Sequence, residues 1–439
     1  MSVPIAAGML FQTLYLLIDL YFVAHLGAAA LAGVGAAGNV LFIVLALTQV
    51  LGVGTVALIS HAVGRKDPTE ATRVFNQSLA LSALCVLLTL AAGYVSASPY
   101  MRMLGADAAT TQAGIVYLEW FLPSLALQFA LVSMGSALRG TGIVQPTMIV
   151  QVLTVILNAV LAPVLIAGWG TGHALGVAGA GLASSLAVAL GVVMLLAYFL
   201  RLEHYVRFDP ASWRPRLEVW GRLLRVGLPA GGEFALMFFY MAVVYWIIRR
   251  CGEDAQAGFG VGMRLNQSLF LPVLAIAFAT APIVGQNFAA GKFDRVRETF
   301  VRSTLIGAVI MGALTLFCQW RAGWLVGAFT SQPGPAAVAT QFIQVISLNA
   351  VASGIVFTSS AVFQGLGNTV PAVLSSATRI ASFVGPALWL ASRPHFELIE
   401  LWHVSVFSMI VQALVSLWLV RVQFRARLRV PLAAALEAG

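Results

Sequence analysis

Charge is scarce in this chain. Asp, Glu, Lys and Arg make up 9% of its 439 residues, where a soluble domain carries about a quarter. With 60% hydrophobic residues and a mean hydropathy of +0.92, a water-soluble fold is excluded. Cysteine is equally sparse. Cys85, Cys251 and Cys318 form no CxxC pair and no set with histidine, which excludes a disulfide framework or a cysteine-based metal site. There is no HExxH, no GxSxG and no Asp-rich pair for magnesium, so nothing nominates an enzyme, a cofactor or a metal. The formal net charge of +9 is spread over short loops and never interleaved with aromatics on a soluble face, which argues against nucleic acid as a partner. The opening MSVPIAAGML lacks a basic n-region and a small-residue cleavage site, and reads as membrane anchor, not cleaved signal.

What is present is a series of apolar runs of about 20 residues or more, each long enough to cross a hydrocarbon core about 30 Å thick. Breaking the chain at Gly, Pro and charged clusters gives twelve: 3–24, 38–64, 76–97, 112–138, 145–168, 175–201, 226–250, 263–288, 300–322, 338–364, 369–391 and 402–424. The fold class expected is an all-α integral membrane protein of twelve transmembrane helices. With the N-terminus inside, eighteen of the 25 Lys and Arg fall at inner loops, span ends and tail, among them Arg65, Lys66, Arg207, Arg214, Arg216, Lys292, Arg295, Arg425 and Arg427. Six fall outside, and Arg379 lies mid-span. The positive-inside rule then places both termini in the cytoplasm of a multi-pass protein, expected in a bacterial-type inner (plasma) membrane. Arg249, Arg250 and Arg264 run against the rule.

Sliding the second half over the first reveals an internal repeat at an offset of 225 residues. Pro4 falls on Pro229, Tyr15 on Tyr240, Gly27 on Gly252, Gly33 on Gly258, Gly35 on Gly260 and Pro146 on Pro371, and ALRGTG (137–142) falls on VFQGLG (362–367). Six spans per half keep both copies in one orientation. The expected organisation is an N-terminal six-helix lobe (1–200), a basic cytoplasmic linker (201–225), a C-terminal six-helix lobe (226–424) and a cytoplasmic tail (425–439). The two parallel-repeat lobes would surround a central cavity and operate by alternating access.

Within this apolar frame a few polar residues stand out. Asp19 sits inside LYLLIDLYFVAHLG (14–27), where an ionised carboxylate costs about 2.5–3.5 kcal/mol, so it marks a functional site. Tyr15, one turn earlier, can offer it a hydroxyl. Burial raises the pKa of such a carboxyl group and poises it to titrate. Gln49, Gln267 and Gln286 read as cavity liners or interhelical glue. Glu233 and Arg379, at similar depth in the C-terminal lobe, are expected to form a buried pair. Aromatic walls for a substrate are available in Phe11, Tyr21, Phe42, Phe238, Phe239, Tyr240 and Trp246.

With these residues in view, the chain resembles the multidrug and toxic compound extrusion (MATE) family of cation-coupled exporters. DLYFVAHLGAAALAG (19–33), ALRGTGIVQP (137–146) and PIVGQNFAAGKFDRVRE (282–298) carry the resemblance, which covers nearly the whole chain. It implies that Asp19 is the cation-coupling carboxylate, with Tyr15, the fifth-span Asn158 and the sixth-span Ser184 around it. Many relatives carry a second Asp four residues after that Asn, where this chain has Ala162. One carboxylate with neutral donors is a thin set for sodium, so protons are the favoured coupling ion. The resemblance implies an antiporter, expected to be a monomer among membrane lipid, that exports drugs or other small, mainly cationic or amphipathic compounds. Alternatives are a sodium-coupled exporter of the same family and a lipid-linked-oligosaccharide flippase of the same superfamily. The flippase would need a more cationic cavity than the single mid-span Arg379 provides.

Overall fold

Inside a bilayer every backbone N–H and C=O must be paired within the protein, which leaves a chain of long apolar runs little option but helix. The computed structural model describes residues 2, 4–6, 8, 21–104, 107–170, 172–201, 203 and 205–428. Among them the regular elements are all helical. The first helix is described at its end, α1 (residues 21–24). There follow α2 (Ala28–Gly64), α3 (Pro68–Leu104), α4 (Ala108–Thr141), α5 (Gln145–Ala167), α6 (Val177–Arg201) and α7 (Leu217–Ile248). The second half holds α8 (Glu253–Ala289), α9 (Phe293–Gly327), α10 (Pro333–Ile346), α11 (Ala350–Gly365), α12 (Val370–Ala391) and α13 (Leu398–Arg427). A 3-10 turn, Ser347–Asn349, joins α10 to α11 as one span.

Eleven helices among the described residues are long and apolar enough to cross a membrane, and they correspond to the second to twelfth expected spans. The first, 3–24, lies mostly outside the described residues, and with it Phe11, Tyr15 and Asp19. Several helices outrun the expected boundaries, for example Pro68–Leu104 against 76–97. A 37-residue helix is about 55 Å long, so its ends continue beyond the hydrocarbon core into the interface. On α9 the exposed Val301, Leu305, Val309 and Leu316 recur on one face, the pattern of a helix turned toward lipid rather than water.

The chain divides into two compact units, Met1–Gly227 and Leu228–Gly439. Phe75, Leu118, Leu125 and Phe129 are buried in the first core. In the second, Phe259 stacks on Trp402 with ring centroids 5.6 Å apart. The 225-residue repeat persists down to backbone contacts. Turns with positive φ recur in register at Gly27 and Gly252 (107° and 97°), at Lys66 and Gly291 (58° and 70°), and at Gly142 and Gly367 (96° and 70°). A Cβ added to Gly33 would come within 2.6 Å of the Thr110 carbonyl, and one added to Gly258 within 2.6 Å of the Pro335 carbonyl, again 225 residues on. Only glycine fits where the helices approach so closely. Buried hydroxyls repeat as well. Thr55 bonds Ser78 (2.6 Å) and Ser78 bonds Ser133 (2.7 Å), while the counterparts Thr280, Ser303 and Thr358 carry hydroxyls at the same positions.

The basic stretch between the halves is not a free tether. It is strapped to the start of α3 by two fully buried amides. Asn76 donates to the Arg207 carbonyl (2.8 Å) and accepts from the Asp209 N–H (2.9 Å). Gln77 donates to the carbonyls of Ser212 (2.6 Å) and Arg214 (2.8 Å) and accepts from the Arg216 N–H (2.8 Å). Glu70, paired with Arg222 at 2.8 Å, ties the start of α7 to the same end of α3.

Candidate functional site

In the first unit the two expected site residues that the structure describes, Asn158 and Ser184, lie on α5 and α6, which pack on one another. Pro146 starts α5 where its fixed φ suits the first turn, and Asn158 follows about three turns in. Asn158 is fully buried, and neither its Nδ2 nor its Oδ1 has a hydrogen-bond partner among the described residues. Leaving a buried polar group unpaired typically costs about 1–3 kcal/mol, so such an amide calls for a role beyond packing. Ser184 on α6 is also fully buried. Its height is set by Gly181, which lets α6 close on the α4 backbone at Tyr117, and by Ser185, which accepts from the Ser124 N–H at 3.1 Å. Gln49 on α2 is half-buried.

The second unit holds a separate polar cluster. Glu233 on α7 accepts from the Ser360 hydroxyl on α11 (3.0 Å) and is hydrogen-bonded by Ser376 on α12. Ser376 in turn accepts from Gln412 on α13 (3.2 Å). Tyr240, two turns past Glu233, is buried, bonds Ser405 through its hydroxyl (2.7 Å) and packs its ring on Phe383 (4.5 Å between centroids). The Arg379 guanidinium lies 4.2 Å above the Tyr240 ring. The expected Glu233–Arg379 ion pair does not form: no such pair occurs among the described residues. Three serines and a glutamine offer Glu233 and its neighbours hydroxyl and amide partners, while the Tyr240 face takes the cation. Gln267 is exposed, and Gln286 lies half-buried in the last turn of α8.

The repeat shows how the units differ. Asp19 has Val244 as its counterpart and Asn158 has Phe383, both buried apolar residues. Glu233 has Gly8, where an added Cβ would strike Gln151 Oε1, and Gln151 is the counterpart of Ser376. The same helix contact recurs with a carboxylate inserted.

A family model, MatE, matches residues 4–164 and 229–386, one stretch in each half. The chain belongs to the MatE family. Its members are secondary transporters, and this chain is a membrane transporter rather than an enzyme. Over 386 residues it is 25% identical to the multidrug export protein MepA of Staphylococcus aureus (strain N315), covering 86% of this chain and 83% of that one. Over 336 residues it is 25% identical to an FAD transporter of Shewanella oneidensis, covering 76% and 74%. A solved MOP superfamily transporter from Pyrococcus furiosus superposes with a TM-score of 0.91 at 26% identity, covering 98% of this chain and 95% of that one. A MATE structure in the bent conformation gives 0.90 at 26% identity, covering 97% and 94%.

Sequence reasoning missed Ser360, Ser376, Ser405 and Gln412 around Glu233 and Tyr240. A signal was available on α13, where Ser405, Ser408, Gln412 and Ser416 recur at helical spacing in an apolar run. That stripe marks a polar buried face.

Proposed function

We propose that this MatE-family transporter exports drugs or other small, mainly cationic or amphipathic organic compounds in exchange for protons by alternating access. Asp19 would be the group that titrates, with Tyr15, Asn158 and Ser184 as its hydrogen-bonding surround. The observation that carries the reading is Asn158: a fully buried amide, unpartnered among the described residues, on the helix the resemblance assigns to the coupling site. A carboxyl group that gains a proton turns from acceptor to donor, and an amide can answer both states because it offers both functions. Protons are favoured over sodium because Ala162 supplies no second carboxylate and sodium requires several oxygens. The multidrug character follows the name of the staphylococcal relative. The membrane potential yields about 2.3 kcal/mol per 100 mV for each charge moved, enough for tenfold accumulation of a neutral substrate at about 1.4 kcal/mol; it opposes the exit of a cation, so for a cationic drug proton antiport offsets that cost and the pH gradient supplies the drive.

Purified protein in liposomes, loaded with a cationic dye, provides the test. Dye export should follow an imposed pH gradient and be indifferent to sodium. Export that requires a sodium gradient and ignores pH would overturn the coupling.

A further inference from the structure

We propose that the strap between the two halves forms a binding site for a phosphate-bearing anion, supplied by the headgroup of an anionic lipid. A cavity of about 520 Å³ opens between the start of α3 and the strap, with Arg73, Arg207 and Arg216 on its walls together with Thr69 and Tyr205. Guanidinium groups present forked donors that match phosphate oxygens; the exposed Arg207 and Arg216 line the cavity, and Arg73, which also pairs with Glu70 at 3.1 Å, adds a third positive charge. One carboxylate, Asp209, also lines it. That carboxylate is occupied within its own turn, accepting from the Ala211 N–H (3.0 Å) and the Ser212 hydroxyl (2.6 Å).

The backbone that carries two of these arginines is fixed by buried machinery. The Arg207 backbone is held on both sides, its carbonyl by Asn76 and its N–H by Thr72 Oγ1 (3.3 Å), and the Arg216 N–H is held by Gln77. Two fully buried amides thus preorganise two of the three cationic walls. The Tyr205 hydroxyl is buried and has no partner among the described residues, a donor left for a ligand oxygen. Burial and the nearby Asp67 push its pKa up, so it keeps its proton. A lipid is the favoured source because Leu217, next to Arg216, is exposed and apolar, so acyl chains have a surface to follow.

The test uses the full chain in detergent, with melting temperature recorded against dioctanoyl phosphatidylglycerol, dioctanoyl phosphatidylcholine and inorganic phosphate. Phosphatidylglycerol should stabilise the wild type far more than phosphatidylcholine. Arg207→Gln with Arg216→Gln should weaken that binding by roughly tenfold or more, the scale of lost charge-assisted contacts. Arg207→Lys with Arg216→Lys should retain part of it, which separates lost charge from misfolding. Arg421→Gln with Arg425→Gln, which removes two exposed arginines away from the cavity, should change it by less than about twofold. Equal response to both lipids, a wild-type response in the cavity variant, or an equal loss in the α13 variant would overturn the site. Saturation by inorganic phosphate with the same arginine dependence, without a phosphatidylglycerol response, would overturn the lipid as source.

Discussion

Asn158, buried, and Glu233, half-buried, are polar groups in opposite situations, one without a partner among the described residues and one with several. Asn158→Leu keeps the volume but removes the amide proposed to hydrogen-bond Asp19, so the protein should still fold, with stability within about 1–3 kcal/mol of the wild type's. Its pH-driven efflux should fall by about tenfold or more, as for loss of a group that positions a ligand-binding side chain. Loss of stability with retained efflux would show that Asn158 serves packing alone. Glu233→Gln and Arg379→Met should add in the double mutant to within about 0.5 kcal/mol, because the two side chains do not pair. Coupling well beyond that would restore the ion pair. Asp19 stands out in the sequence as a candidate because a single carboxylate contrasts with the apolar run around it, and it lies outside the described residues. The partners of Glu233 were not legible, since Ser360 lies 127 residues away and charge attraction alone pointed to Arg379.

Helix identity and order were legible because apolar runs of membrane length admit one regular solution. Helix ends were less so: α3 begins eight residues before its apolar run, where Asp67 caps it by accepting from the Glu70 N–H at 2.9 Å. The repeat was legible from Gly and Pro positions, and Gly258→Val tests what it implies. A side chain there would meet the Pro335 carbonyl, so destabilisation of about 1–3 kcal/mol is expected, with Gly33→Val matching it. At the start of α4, Asp107 accepts from the Thr110 N–H at 2.7 Å, and these cap bonds hold its carboxyl group below the usual carboxylate range. Its stabilisation is therefore complete above the ordinary carboxylate pKa and fades as pH falls through the lowered folded-state value. A melting-temperature difference between wild type and Asp107→Asn should be present at neutral pH and vanish in acid. The strap was invisible to sequence reasoning, which read residues 201–225 as a charged linker. Gln77→Leu would leave three strap backbone groups without a partner, and trypsin should then cut faster after Arg216, which precedes Leu217.

At the scale of the molecule, the eighteen-to-six distribution of loop cations leads to the proposal that both termini and the strap are cytoplasmic. Ser212→Cys should react with an impermeant thiol reagent only after cells are opened, and Ala174→Cys should react in intact cells. The reverse pattern would invert the topology. The two units share a backbone plan but not their chemistry: Val244 and Phe383 stand where the first has Asp19 and Asn158. Under the proposed coupling, one unit alone would carry the proton step. The most direct measurement is dye efflux by Asp19→Asn in liposomes across a range of imposed pH gradients, alongside dye binding to the same protein. The account predicts that binding survives while the response to pH is lost, because asparagine preserves the volume and cannot ionise. Wild-type efflux with an unchanged pH dependence would contradict it and move the coupling to Glu233.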